Sequence, residues 1–139
     1  MTGQPLFFCW KAAYELGLPE LDAQHRQFFE LMNRCAMAAA EGAGPAALDE
    51  LLSELAAYAD YHFSAEEAVL DRCGYPGLEQ QRAEHRRFRA DLARLVAQET
   101  PSVLATLTFT RDWLLGHVLG ADRRYVDWVA HDRHGVYAG

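Results

Sequence analysis

Residues 46–73, AALDELLSELAAYADYHFSAEEAVLDRC, decide the fold. Leu48, Leu55, His62 and Val69 form one row at a spacing of seven, and Leu52, Ala59, Glu66 and Cys73 form the adjoining row. That spacing marks one buried face of a long helix, and no strand-like alternation competes with it. Each row carries one residue foreign to an apolar core. His62 and Glu66 stand four apart, on one helix face, where both can reach a common centre.

Prolines and glycines set the limits of this helix and of its neighbours. Pro45 follows Glu41-Gly-Ala-Gly, Pro76 follows Cys73-Gly-Tyr, Pro101 follows Glu99-Thr, and Pro5 and Pro19 lie in an N-terminal arm. Between these breaks the pattern predicts helices at 20–41, 46–73, 77–98 and 102–130. The first carries Leu21, His25, Phe28, Met32, Cys35 and Ala39 at helical spacing. The third carries Leu78, Gln81, His85, Phe88, Leu92 and Leu95, and the fourth Val103, Thr110, Leu114, His117, Ala121 and Trp128. Short connections make sequential helices antiparallel neighbours, so the expected fold is all-α, an up-down-up-down four-helix bundle. Residues 1–19 would be an arm, 131–139 a tail, and the whole chain of 139 residues one domain.

Composition narrows the function classes. Thirteen Lys and Arg against twenty Asp and Glu give a formal charge of -7, which argues against a nucleic-acid partner. The apolar run Leu6 to Trp10 is too short for a signal-peptide core or a membrane span, so a cytoplasmic, monomeric protein is expected. Cys9, Cys35 and Cys73 are odd in number and widely spaced, and read as reduced thiols.

Buried histidines and carboxylates cost free energy unless they are paired or coordinated. Antiparallel geometry makes their levels comparable. At ~1.5 Å per residue, His25 lies ~7 Å from the start of the first helix, and His62 and Glu66 ~10 to 17 Å from the end of the second. Gln81 and His85 lie ~6 to 12 Å from the start of the third, and His117 and Asp122 ~12 to 20 Å from the end of the fourth. Start, end, start and end of alternating helices share one end of a bundle. Four imidazoles with two carboxylates suit first-row metals, and carboxylates able to bridge suggest two ions, whereas tetrahedral zinc needs only four ligands.

These residues resemble the hemerythrin family, particularly its bacterial single-domain members. The resemblance spans Gly17-Leu18-Pro19-Glu20-Leu21-Asp22-Ala23-Gln24-His25, His62-Phe63-Ser64-Ala65-Glu66-Glu67, Gly74-Tyr75-Pro76, His85-Arg86-Arg87-Phe88, and Trp113-Leu114-Leu115-Gly116-His117 followed by Asp122. It implies a non-haem centre of two iron ions, bridged by Glu66, Asp122 and an oxo or hydroxo oxygen. It further implies that His25 and His62 hold the iron with an open position for dioxygen, and that His85 and His117 hold the other with a third histidine four residues before His85. That position is Gln81. An amide oxygen is a weaker donor than imidazole, so Gln81 either ligates weakly or leaves the position to water. The implied function is dioxygen binding for carriage, storage or sensing. The alternative is a di-iron enzyme or scavenger acting on peroxide, nitric oxide or dioxygen.

Other readings complete the picture. Asp22 is expected either to accept from His25 or to cap its helix. The arm is expected over the open metal end of the bundle. Arg82, Arg86, Arg87 and Arg89 with Glu79 and Glu84 read as a solvated face, and His131 and His134 as decoration of an exposed C-terminal end. Gly116 and Gly120 are expected either to make room for a ligand or helix approach or to mean nothing.

Overall fold

The computed structural model describes residues 8–98 and 102–136, with side chains through residue 131. Four helical rods pack in a ring, each antiparallel to the next in sequence, and no strand occurs among the described residues. The rods are α1 (Pro19–Ala40), α2 (Pro45–Arg72), α3 (Leu78–Val96) and a fourth made of α4 (Val103–His117), a π turn (Val118–Asp122) and α5 (Arg123–Val136). α1 packs on α2 and on α4, α2 on α3, and α3 on α4. The bundle and its antiparallel order are as the spacing predicts. The fourth rod runs past the expected boundary at 130, and the first seven residues of the expected arm lie outside the described residues.

The breaks act through backbone chemistry. Pro19 and Pro45 occupy the first turns of α1 and α2, where a missing N–H costs nothing. After α1, Gly42 takes φ +81°, so that its N–H reaches Ala39 O and that of Ala43 reaches Ala38 O. Gly74, at φ +64°, repeats the pattern after α2, with Gly74 N on Asp71 O and Tyr75 N on Leu70 O. Both are glycine-terminated caps that satisfy the last carbonyls and turn the chain sharply back. α4 starts instead on a side-chain cap, Ala105 N donating to Ser102 Oγ.

The stripes face inward as written. Phe28, Met32, Leu52, Leu55, Phe63, Phe88, Leu107 and Leu114 are buried in one apolar core. Cys35 and Cys73 belong to that core, Cys9 is exposed, and no disulfide joins them.

The described part of the arm reaches the level of the polar residues from the side of the bundle, with Trp10 6.0 Å from the His25 ring. It lies along the seam between α1 and the fourth rod. Phe8 N donates to Asn33 Oδ1, Asn33 Nδ2 donates to Phe8 O, Arg111 lies over the Phe8 ring, and Arg123 donates to Ala13 O. Asp22 anchors it by accepting from the N–H groups of Leu16 and Gly17 at 2.7 and 3.0 Å. Asp22 is therefore neither a helix cap nor a partner of His25. Two unpaired N–H groups in a tight turn offer a carboxylate more than one imidazole does.

Leu55 is fully buried and Leu104 is 60% exposed. Leu55→Ala is expected to lower stability by about 2–5 kcal/mol and Leu104→Ala by less than about 0.5 kcal/mol, read as shifts in the urea midpoint of the chelator-treated protein.

Candidate metal centre

Every rod delivers its polar residues to one level. α1 brings His25, α2 His62 and Glu66, α3 Gln81 and His85, and the fourth rod His117 and Asp122; all seven are buried. His25 Nε2 lies 3.1 Å from His62 Nε2, and His85 Nε2 lies 3.2 Å from His117 Nε2. Glu66 serves both pairs, with Oε2 3.9 Å from His62 Nε2 and Oε1 2.9 Å from His85 Nε2 and 3.8 Å from His117 Nε2. Asp122 spans the same gap, Oδ2 being 3.5 Å from His25 Nε2 and Oδ1 3.0 Å from His117 Nε2. Two donor sets result, His25 with His62 and Glu66, and His85 with His117 and Glu66.

The fourth rod needs its π turn to do this. Residues five apart on an α-helix point about 140° away from each other, which is why His117 and Asp122 read from sequence as lying on adjoining faces. The π turn over Val118–Asp122 widens the coil by one residue and carries both side chains to one side. Gly116 and Gly120 are not what makes room: a Cβ at either would meet nothing within 4 Å.

Outer hydrogen bonds fix the imidazoles. His62 Nδ1 donates to Gln24 Oε1 at 2.7 Å, His85 Nδ1 to Glu67 Oε2 at 2.7 Å, and His117 Nδ1 to Glu84 Oε1 at 2.9 Å. Each acceptor is the sequence neighbour of an inward residue on the adjacent rod. Gln24 precedes His25, Glu67 follows Glu66, and Glu84 precedes His85. The stripes do not reveal these residues, because one position off a buried row reads as surface. Glu84 in particular is not merely part of a solvated arginine face. Flat faces lock the rings further, with Phe63 stacked on His85 at 4.0 Å and Trp113 on His117 at 4.5 Å.

This tautomer choice bears on the chemistry. A carboxylate only accepts, so His85 and His117 turn their Nδ1 protons outward, and their Nε2 atoms face each other across 3.2 Å. Imidazole nitrogens this close need a proton or a metal cation between them. Burial pushes His25 down to about 3 and His62 to about 4, so both stay neutral with lone pairs to give. Burial would also lower His117, but Asp122 and Glu66 outweigh it and raise the imidazole to about 11. Burial would raise Glu66, yet the rings of His117, His85 and His62 hold it well below the usual carboxylate range. Asp122 is raised to about 7, first by burial and then by Glu66. The centre thus draws in positive charge, which a proton or a metal ion can supply.

Several buried atoms are left without hydrogen bonds: His25 Nδ1, Glu66 Oε1, Asp122 Oδ2 and Gln81 Oε1. The two carboxylate oxygens belong to the groups that face the imidazoles, the arrangement expected of donors kept for a cation. The residues present therefore fit a metal centre. Gln81 is the departure: its Nε2 donates to Asp122 Oδ1 at 3.1 Å. Tyr125 donates to Glu66 Oε2 at 2.7 Å. Tyr61 is exposed, Trp128 donates to Cys73 O, and His131 is exposed. The side chain of His134 lies outside the described residues.

Comparison with known proteins agrees with this geometry. The sequence profile described as "Hemerythrin HHE cation binding domain" matches residues 16–129. A bacteriohemerythrin of Clostridium acetobutylicum is 30% identical over 128 residues, 86% of this chain and 99% of that protein. A myohemerythrin of Riftia pachyptila is 27% identical over 121 residues, 87% of this chain and 92% of its own. A crystal structure of wild-type hemerythrin superposes with a TM-score of 0.79 at 29% identity, covering 89% of this chain and 98% of that one. No helix among the described residues is long and apolar enough to cross a membrane.

Tyr125→Phe removes the donor to a buried carboxylate oxygen. The chelator-treated variant is expected to lose about 1–3 kcal/mol of stability, measured by urea unfolding.

Proposed function

This chain belongs to the hemerythrin family, and on that premise we propose that it is a non-haem di-iron protein that binds dioxygen for carriage, storage or sensing. The observation that supports this most directly is the sharing of Glu66 between two imidazole pairs, with Asp122 across the same gap. His25 and His62 would hold one ion, His85 and His117 the other, and Glu66 and Asp122 would join them. A bound pair of ferrous ions supplies the two electrons and the open coordination position that reversible dioxygen binding requires.

The remaining work falls to the protein. Gln24, Glu67 and Glu84 hold three imidazoles in the tautomer that leaves Nε2 free, and Tyr125 fixes one oxygen of Glu66. Phe28 and Phe63 pack edge-on or tilted beside His62, and Trp10 of the arm lies 6.0 Å from the His25 ring. These apolar walls keep bulk water and stray protons from the dioxygen side.

Anaerobic loading with ferrous iron, removal of loose metal and metal analysis test the reading. Two irons per chain are expected, with an absorption spectrum after air exposure that a single ferric ion does not give. Glu66→Ala is expected to hold no more than one. One iron in the parent protein, a different preferred metal, or none would overturn the di-iron assignment.

Gln81 supports a second reading, an enzyme or scavenger that consumes dioxygen, peroxide or nitric oxide. The supporting observation is that its amide nitrogen, which has no lone pair for a metal, is the atom that meets Asp122. An oxygen electrode separates the two. A carrier returns nearly all the gas it takes up when the pressure falls, and Gln81→His changes little. An enzyme consumes oxygen over repeated cycles, and Gln81→His restores recovery.

A further inference from the structure

We propose that the centre has a second exchangeable ligand position, on its His85 and His117 side, which takes water or a small monodentate anion arriving between α3 and the π turn beside Gln81. This rests on the di-iron reading above and concerns the side away from the position assigned to dioxygen.

A small cavity of about 40 Å³ opens there to solvent, lined among others by Tyr75, Gln81, Glu84, Ala121 and Arg124. A water needs at least ~10–15 Å³ of such space, so the cavity admits a few atoms but nothing of metabolite size. Gln81 forms its inner wall, is 2% exposed, and carries an Oε1 without a hydrogen-bond partner. Its other amide atom is taken by Asp122 Oδ1 at 3.1 Å. The path from solvent thus ends on a buried side chain that turns its NH₂ group, and no imidazole nitrogen, toward the centre.

The charges on the wall favour an anion. Glu84 is negative but already accepts from His117 Nδ1 at 2.9 Å. Arg124 is exposed, makes no ion pair with a described residue, and is the cation at the mouth. The dioxygen position assigned to the His25 and His62 side lies under the arm and belongs to α1 and α2, so the two positions would be reached from different faces of the bundle.

Azide is the probe, titrated into oxidised, iron-loaded protein by calorimetry and visible absorption at fixed ionic strength. The parent protein is expected to take two azides per iron pair and Gln81→His only one. Arg124→Gln, a surface change, is expected to weaken the second step roughly 2- to 5-fold and leave the first unchanged, with less effect at high salt. One azide in a parent protein that holds two irons overturns the proposal and means that Gln81 closes the position. Two azides in both the parent and Gln81→His overturn it as well, and an Arg124→Gln protein with an unaltered second step overturns the route. Fewer than two irons in the parent overturns the di-iron reading itself and this inference with it, an outcome that metal analysis separates from the others.

Discussion

A single buried carboxylate, Glu66, governs this bundle. It lies within 4 Å of three imidazoles from three rods, and Tyr125 from the fourth rod donates to its other side. All of these groups are withdrawn from water, and a negative charge held there requires compensating positive charge within a few ångströms. The direction of each perturbation follows from that demand: His117 is pulled up, Glu66 down, and Asp122 is raised by burial and by its like-charged neighbour. Without a cation the centre answers with a proton on His117. With one bound, that proton would leave and the same donors would be free to act as ligands.

The rest of the fold keeps those groups at one level. Glycine-terminated caps after α1 and α2 turn the chain back within a few residues, so helix starts meet helix ends. The orienting hydrogen bonds run around the ring in sequence order. A neighbour of the inward residue on α1 holds the imidazole on α2, one on α2 holds that on α3, and one on α3 holds that on α4. The circuit does not close, because His25 Nδ1 has no hydrogen-bond partner. At that open corner the arm brings in Trp10 instead, and Asp22 anchors the arm in place. The side assigned to dioxygen is thereby covered by an apolar ring, and the Gln81 side by polar groups.

The family's overall design and this chain's own departure from it coexist because they act on different parts of the centre. Imidazole and carboxylate groups alone assemble both donor sets, and Gln81 stands beside them as a partner of Asp122. An amide there also does something that an unprotonated imidazole nitrogen cannot, since it donates to Asp122 Oδ1.

Much of this was legible in the sequence. Spacing of three, four and seven marks the buried faces, prolines and glycines mark the ends, and the count of residues from those ends puts His25, His62, Glu66, Gln81, His85, His117 and Asp122 at one level, because rise per residue is constant in a helix. What lay off the buried rows was not legible. Gln24, Glu67 and Glu84 are half-hidden beside inward residues, and only the crossing of neighbouring rods shows which imidazole each one meets. The π turn was equally silent, since the spacing from His117 to Asp122 implies divergence on a regular helix and convergence only when the coil widens. Asp22 and the arm depended on which unpaired N–H groups came nearest. Sequence thus determined the rods, their order and the level of the inward groups, which follow from local periodicity. Tertiary structure decided their partners, tautomers and openings, which depend on contacts between segments that no local pattern records.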